Sequence, residues 1–130
     1  MSLDTSGLLC LCARSEAFHT EAAEQFDLAI TRVTHNYVMA EFVALAHARR
    51  IPRVTALQFL DDLSLSPEVA VHWVDPALHD EAEELLKKRI DKSYSLCDAV
   101  SFVLMRRLGI QEALTTDHHF EQESFLRLLK

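Results

Sequence analysis

Two spacings of apolar residues alternate along the whole chain, and together they predict an α/β domain with a mainly parallel sheet. Apolar residues three and four positions apart indicate helices, and short β-branched runs indicate strands. The first predicted helix opens at Asp4-Thr5-Ser6, and the others cover Ser15–Phe26, Tyr37–Arg50, Pro52 to Leu63, Pro76–Leu86 and Ala99–Leu108. The predicted strands are Leu28–Val33, Val69–Val74 and Ile110–Thr116.

The clearest helix boundaries belong to the segment Ala99–Leu108. Ser95 and Asp98 precede it with the three-residue spacing of a capping box, in which each side chain accepts a hydrogen bond from the other's backbone. Gly109 follows it at the position where helices commonly end in a left-handed residue. A helix with two defined ends is therefore predicted here.

Length and composition indicate one globular domain covering residues 1–130. The chain has 130 residues, of which 49% are hydrophobic and 25% charged, so it can bury a core of its own. With only two glycines, it cannot build a glycine-rich phosphate loop or a dinucleotide-binding fingerprint. No apolar run approaches the roughly 20 residues that a membrane-spanning helix needs.

The cysteines indicate a reducing compartment. Cys10, Cys12 and Cys97 form an odd set, fit no zinc-binding spacing and lie among apolar residues. We therefore expect buried, reduced thiols in a cytoplasmic protein.

The net charge of −7 argues against binding nucleic acid through the overall field of the protein. A polyanion would have to be held locally, by one of three basic clusters. Taken alone, each cluster is better explained as a solvated helix end. The clusters are Arg49, Arg50 and Arg53; Lys87, Lys88, Arg89 and Lys92; and Arg106 with Arg107.

Four acidic residues lie where the pattern enters or lines the core: Asp4, Glu41, Asp98 and Asp117. Burying one ionised carboxylate without a partner costs on the order of 5 kcal/mol. In parallel sheets, the carboxyl ends of strands and the starts of helices meet at one edge, where ligands bind. Carboxylate oxygens suit Mg²⁺ or Mn²⁺, so these residues predict a metal-dependent phosphodiesterase.

Glu41 is the most informative of these acids. On a helical wheel it falls between Val38 and Leu45, which predicts a side chain directed into the apolar face of its helix. Pairing with a basic residue would explain it, but none is close in sequence.

The other three acids each have a structural alternative. Asp98 can be the acid of the capping box, Asp4 an N-terminal cap and Asp117 a turn residue. A zinc site is disfavoured, because the adjacent His118 and His119 cannot easily both bind one ion.

Four segments, in this order and spacing, resemble the PIN-domain ribonucleases, and most closely the VapC-type toxins of toxin–antitoxin pairs. The resemblance covers essentially the entire chain. It implies a three-layer α/β/α domain with a four- to five-stranded, mainly parallel sheet. The matching segments are Asp4 to Leu9, Glu41 in its helix, Ser95 to Phe102 and Leu114 to Phe120.

Carried over position by position, the resemblance makes Asp4, Glu41, Asp98 and Asp117 the catalytic and metal-binding quartet. It also assigns supporting roles to the hydroxyls of Ser6 and Thr116, and a structural role to His119 and Phe120. Whether Glu41 binds the metal or acts as a base stays open at this point.

The function implied is hydrolysis of RNA phosphodiester bonds by an endoribonuclease that uses Mg²⁺ or Mn²⁺. A cognate antitoxin, an RNA substrate and a second copy of the chain are the implied partners. The alternative is a non-catalytic PIN-like module that binds RNA or protein, and the intact quartet argues against it. A phospho-acceptor receiver domain is a third alternative, but it would need paired early acids and a late lysine.

Two departures from the family pattern carry expectations of their own. Only Met1-Ser2-Leu3 precedes Asp4, so the first strand is expected to be short and the sheet centre weakened. Ser124 stands where similar sequences often have glycine, which puts the local turn in question.

Overall fold

The computed structural model describes residues 1–130 and contains seven helices and five strands. The helices are α1 (Thr5–Cys12), α2 (His19–Leu28), α3 (Asn36–Ala48), α4 (Arg53–Leu65), α5 (Pro76–Lys88), α6 (Leu96–Leu108) and α7 (His119–Gln122). The strands are β1 (Ser2–Leu3), β2 (Val33–His35), β3 (Ala70–His72), β4 (Glu112–Leu114) and β5 (Leu126–Arg127). No helix is both long and apolar enough to cross a lipid bilayer.

The five strands form one sheet in the order β3-β2-β1-β4-β5, and every pairing is parallel. Although β1 has only two residues, it is the central strand and pairs on both sides. Ser2 lies opposite Val33 on β2 and Ala113 on β4, and Leu3 lies opposite Leu114. The predicted α/β class is confirmed, and the expected short first strand lies at the centre of the sheet.

Helices cover both faces of the sheet and enclose separate cores, which confirms the three-layer architecture. On one face, Leu3 and Leu114 pack with buried residues of α1, α3 and α4. On the other, Val33 packs with α5 and α6, and Ala113 packs with α6 and α7. Neighbouring residues of β4 therefore serve opposite cores, as the alternation of side chains along a strand requires.

The predicted ends of α6 are confirmed. The Ser95 hydroxyl accepts a hydrogen bond from the Asp98 backbone N–H, and the Asp98 carboxylate accepts one from the Ser95 N–H, both at 3.0 Å. Gly109 ends the helix with φ 68°. Along most of its length, α6 is buried between the sheet and α5.

The second strand was predicted in the wrong place. Instead of Leu28–Val33 it covers Val33–His35, and Ile30 is 97% exposed in the loop before it. The polar side chains of Thr34 and His35 occupy buried positions in this strand, because groups distant in sequence form hydrogen bonds with them. Thr34 donates to the Leu3 carbonyl at 3.0 Å, and His35 shares a 2.8 Å hydrogen bond with Ser101.

Two further expectations are corrected. Helix α2 begins at His19 rather than Ser15, because residues 14–18 form turns after α1. The cysteines are all free thiols as expected, but only Cys10 and Cys97 are buried, and Cys12 is partly exposed.

Candidate metal centre

The four predicted acids come from four places in the fold, and three of these meet at the carboxyl edge of the sheet. Asp4 directly follows β1, and Asp117 follows β4, the strand beside it. Asp98 lies in the first turn of α6, and Glu41 in the second turn of α3. Strand pairing and helix packing thus bring together residues that are more than 110 positions apart.

A chain of hydroxyl groups holds Asp4 in place. Thr115 donates to Asp4 Oδ2 at 2.7 Å, and Ser6 donates to the same oxygen at 3.4 Å. The two hydroxyls lie 3.1 Å apart, and Ser6 also accepts from the Thr116 backbone N–H at 2.9 Å. These bonds fasten the first turn of α1 to the end of β4, and so fix the orientation of the Asp4 carboxylate.

Gly7 permits this close approach of α1 to β4. A Cβ atom at this position would lie 2.0 Å from the Leu114 carbonyl oxygen, where no side chain fits. The absence of a side chain at Gly7 therefore lets Ser6 reach Thr115 and Thr116.

Asp4 is buried without a cation. Burial raises the pKa of its carboxyl to about 7; the hydrogen bond from Thr115 opposes this rise, and the nearby charges of Asp98 and Glu41 add to it. The pKa of Asp98 is also raised, first by burial and then by the charge of Asp117, against the hydrogen bond from Ser95. Each of the four carboxylates is thus close enough to repel at least one of the others.

Glu41 joins this group from the margin of the buried face of α3. The buried stripe of the helix consists of Val38, Phe42 and Ala46, whereas Leu45 is 39% exposed. The prediction that Glu41 points into the apolar face was therefore wrong in detail, and its side chain is only partly buried. It forms no hydrogen bond or ion pair with any residue of the chain, and its charge acts on both Asp4 and Asp98.

The structural alternatives for the other acids have different outcomes. Asp98 does close its capping box, and Asp117 Oδ1 accepts from the His119 backbone N–H at 2.9 Å, as expected of a turn residue. Each of these bonds uses one lone pair of one carboxylate oxygen and leaves the remaining lone pairs for another ligand. Asp4, however, makes no side-chain capping bond with α1, so the capping explanation for Asp4 was wrong.

The two histidines after Asp117 also contribute to this region. His119 Nδ1 lies 3.2 Å from Asp117 Oδ1 and 3.4 Å from Asp98 Oδ2, and His118 Nδ1 lies 3.7 Å from Asp117 Oδ1. Ligand atoms of Asp117, His118 and His119 all fall within 4.8 Å of one another. The argument that adjacent histidines cannot share an ion is therefore not supported by this geometry.

The residues present fit a divalent cation. Neither Lys nor Arg forms an ion pair with Asp4, Glu41, Asp98 or Asp117, and the only basic side chains within ion-pair distance are the two histidines. Four acids that repel one another and raise the pKa of a buried member need positive charge from elsewhere. Carboxylate oxygens with space for water are the ligand set that Mg²⁺ and Mn²⁺ prefer.

The structure adds one hydroxyl that the sequence analysis missed and changes the contribution of another. Thr115, fully buried, binds Asp4 through its hydroxyl, and its oxygen also accepts from the Asp117 N–H at 3.0 Å. Thr116, the predicted supporting residue, makes its hydrogen bonds through its main chain. Strand pairing decides this, because continuing the β1–β4 register places Thr115 beside Asp4.

The basic clusters identified in the sequence are largely neutralised. Arg49 pairs with Glu16, Arg107 with Glu81, and both Arg89 and Arg106 with Glu123. Lys87 and Lys92 also have acidic neighbours, so six of the nine cations lie within ion-pair distance of an acid of the same chain.

Comparison with known proteins places this arrangement in a family. The family model of the PIN domain matches residues 1–126. The chain is 32% identical over 96 residues to a protein named 23S rRNA-specific endonuclease VapC20, from Mycobacterium tuberculosis strains CDC 1551 / Oshkosh and ATCC 25618 / H37Rv. This match covers 74% of the chain and 72% of the relative.

A solved structure is similar over almost the entire fold. The crystal structure of Mycobacterium tuberculosis VapC20, described as a sarcin–ricin loop cleaving toxin, superposes with a TM-score of 0.89 at 29% sequence identity. The match covers 99% of this chain and 98% of the other. The similarity therefore extends over both layers of helices and the sheet between them.

Proposed function

The chain belongs to the PIN-domain family, and from this membership and the geometry of its acidic cluster we propose that it is a metal-dependent endoribonuclease, the toxin of a toxin–antitoxin pair. The observation that carries the proposal is the burial of Asp4 among Glu41, Asp98 and Asp117 without a Lys or Arg partner. A buried acid with a purely structural role would pair with a cationic side chain, as Glu123 pairs with Arg89 and Arg106.

Asp4, Asp98 and Asp117 would hold Mg²⁺ or Mn²⁺, directly or through water. Bound there, the cation would supply charge neutralisation at the scissile phosphate and a lowered pKa for a water ligand. Thr115 and Ser6 keep the Asp4 carboxylate in one orientation. Glu41, the acid without a hydrogen bond from the protein, would either complete the shell of the metal or take the proton of the attacking water.

The substrate we propose is RNA of the large ribosomal subunit. The support is the name of the relatives, which describes them as specific for 23S rRNA, and the match to a sarcin–ricin loop cleaving toxin. Mapping new 5′ ends after induction of the protein tests this step separately from cleavage itself. Cuts confined to messenger or transfer RNA would refute the ribosomal substrate and leave the nuclease intact.

A small antitoxin and a second copy of the chain are the proposed protein partners, and the cytoplasm the proposed location. An acidic pocket without a cation of its own suits a basic side chain reaching in from an antitoxin. The free thiols of all three cysteines agree with a reducing compartment. Co-purification with the product of the neighbouring reading frame tests the antitoxin, and light scattering tests the second copy of the chain.

Metal removal tests the proposed chemistry. RNA cleavage should disappear in excess EDTA and return with added Mn²⁺ or Mg²⁺. The Asp98→Asn variant should keep its fold, because Asn can still accept the Ser95 N–H, while losing activity. Asp80→Asn, on the exposed side of α5, is the matched control and should cleave normally.

The alternative of a non-catalytic binding module predicts a different result. Such a module would bind RNA without cutting it under any metal condition. Cleavage that persists in EDTA, or an Asp98→Asn variant as active as the unsubstituted protein, would refute the metal-dependent mechanism.

A further inference from the structure

The chemistry of the acidic cluster changes on the side of Asp117, where two histidine nitrogens stand among the carboxylates. The four carboxylates offer only oxygen, whereas His118 and His119 each turn Nδ1 toward Asp117 Oδ1. Oxygen ligands suit Mg²⁺ and Mn²⁺, whereas imidazole nitrogen raises the affinity for later transition metals such as Co²⁺ and Zn²⁺. The identity of the preferred ion therefore depends on whether these nitrogens are ligands.

The distances fit a common ion. With metal–ligand bonds of about 2.0–2.2 Å, neighbouring ligands in a tetrahedral site lie about 3.3–3.5 Å apart. His119 Nδ1 lies 3.2 Å from Asp117 Oδ1 and 3.4 Å from Asp98 Oδ2, and His118 Nδ1 lies 3.7 Å from Asp117 Oδ1. The ligand atoms of Asp117, His118 and His119 all lie within 4.8 Å of one another, and Asp98 adjoins this group through its contact with His119.

His119 Nδ1 lies within ion-pair distance of two carboxylates but makes no hydrogen bond. It is buried, and neither carboxylate contact has the geometry of a hydrogen bond, so the atom has no hydrogen-bond partner. Buried polar atoms without partners are rare and call for an explanation. A metal ion at this point would supply the missing contact.

The surroundings of His119 hold the ring as they do in known metal sites. Its second nitrogen, Nε2, lies 3.1 Å from the Ser93 hydroxyl, and a donated bond there leaves Nδ1 with its lone pair free. Tyr94 packs edge-on against the ring, with centroids 5.3 Å apart. The ring is thus oriented with Nδ1 toward Asp98 and Asp117.

We propose that Asp117, His119 and Asp98, joined by His118 from the exposed side, form a mixed nitrogen and oxygen site that selects a transition-metal ion over Mg²⁺. The site rests on the proposed function, because it shares Asp98 and Asp117 with the catalytic quartet. His118, whose side chain is 65% exposed, completes the shell by a change of rotamer.

Pulsed electron paramagnetic resonance on Mn²⁺-loaded protein without a histidine tag tests nitrogen coordination directly. The unsubstituted protein should show the ¹⁴N coupling of bound imidazole. The coupling should disappear in the His118→Gln/His119→Gln double variant and weaken in His118→Gln, whose exposed position leaves the fold unchanged. His47→Gln, an exposed histidine on α3, is the matched control and should retain it.

Calorimetric titration gives a second, independent readout. The unsubstituted protein should bind Co²⁺ or Zn²⁺ at least about 10²-fold more tightly than Mg²⁺, because imidazole nitrogen adds affinity for these ions and little for Mg²⁺. His118→Gln should lower the Co²⁺ affinity about tenfold and change Mg²⁺ affinity little.

The outcomes separate this inference from the nuclease itself. RNA cleavage and Mn²⁺ binding without ¹⁴N coupling would overturn the mixed site and leave the metal-dependent nuclease standing. Equal affinities for Co²⁺ and Mg²⁺ would also overturn the mixed site. Absence of any Mn²⁺ binding would overturn both.

Discussion

Two buried acids in this fold, Asp4 and Glu123, have opposite electrostatic surroundings. Both side chains are almost fully enclosed. Glu123 lies within 3.0 Å of Arg89, Arg106 and the Tyr94 hydroxyl, whereas Asp4 has hydroxyl donors and other acids around it.

Their titration differs accordingly. Burial alone would raise the pKa of Glu123, but hydrogen bonds from Arg106, Tyr94 and Arg89 outweigh it and hold that pKa below its usual range. Burial raises the pKa of Asp4 to about 7, and no cation opposes it. A buried carboxylate that stabilises the fold is paired with cationic side chains, whereas a carboxylate that binds a ligand has no such partner within the protein.

The largest effect expected from this comparison is on activity at Asp4. The Asp4→Asn variant should lose at least about 10²-fold in the rate of RNA cleavage, because a neutral amide is a poor metal ligand. The measurement is single-turnover cleavage of a labelled RNA in Mn²⁺. A variant of nearly full activity would remove Asp4 from the catalytic set.

The same Asp4→Asn variant should be more stable than the unsubstituted protein when metal is absent. The folded Asp4 keeps its proton up to about pH 7, whereas the unfolded chain releases it near 3.8. The folded state therefore binds more protons in this window, and its stability falls as the pH rises, by up to about 4 kcal/mol. At pH 8 in EDTA, the free energy of unfolding measured in urea should be about 2 kcal/mol or more higher for Asp4→Asn than for the unsubstituted protein.

His35 has to be separated from this effect, because its titration has the opposite sign. Burial lowers the pKa of His35 to about 4, so between that pH and 6.5 the unfolded chain binds more protons and stability rises with pH. Both proteins share this contribution, and their difference isolates Asp4. A difference in stability that stays constant from pH 4 to pH 8 would contradict the raised pKa of Asp4.

The Glu123→Gln variant should show the reverse pattern, with stability lost and activity kept. It leaves two arginines without their shared counter-charge, and we expect a loss of about 1–3 kcal/mol, limited by the partial exposure of both arginines. Thermal unfolding in EDTA measures this loss. Glu84→Gln, in an exposed pair with Lys87, is the control and should change stability by less than about 0.5 kcal/mol.

Activity decides what Glu123 does. A folded Glu123→Gln protein should cleave RNA at close to the unsubstituted rate below its melting temperature. A large loss of activity without a change in melting would mean that Glu123 acts on the catalytic centre, and the contrast with Asp4 would fail.

Much of the fold was predictable because its signals are local. Apolar spacing, the capping box at Ser95 and Asp98, and Gly109 each report on a few neighbouring residues. The second strand was predicted in the wrong place because its burial depends on long-range contacts. Thr34 and His35 are buried because Leu3 and Ser101, far away in sequence, accept or share their hydrogen bonds, and no local pattern contains that information.

The candidate site divides in the same way. The four acids could be identified as residues because carboxylates in apolar segments are conspicuous. The roles of Thr115 and Thr116 could not, because the register between β1 and β4 decides which hydroxyl faces Asp4. The contribution of His119 depends likewise on the packing of α6 against the segment after β4.

The smallest expected effect concerns the turn that follows Glu123. Ser124 has φ 70°, a left-handed conformation that costs a residue with a side chain about 1 kcal/mol. Ser124→Gly relieves this strain but adds freedom to the unfolded chain, so we expect a net gain of about 0.5 kcal/mol, or a melting temperature about 2 °C higher. Ser64→Gly, in the exposed face of α4, should instead cost about 0.5 kcal/mol. Because this turn adjoins the ion-paired Glu123 and not Asp4, Ser124→Gly should leave RNA cleavage unchanged. A change in the cleavage rate would show that the surroundings of Glu123 are coupled to the catalytic centre.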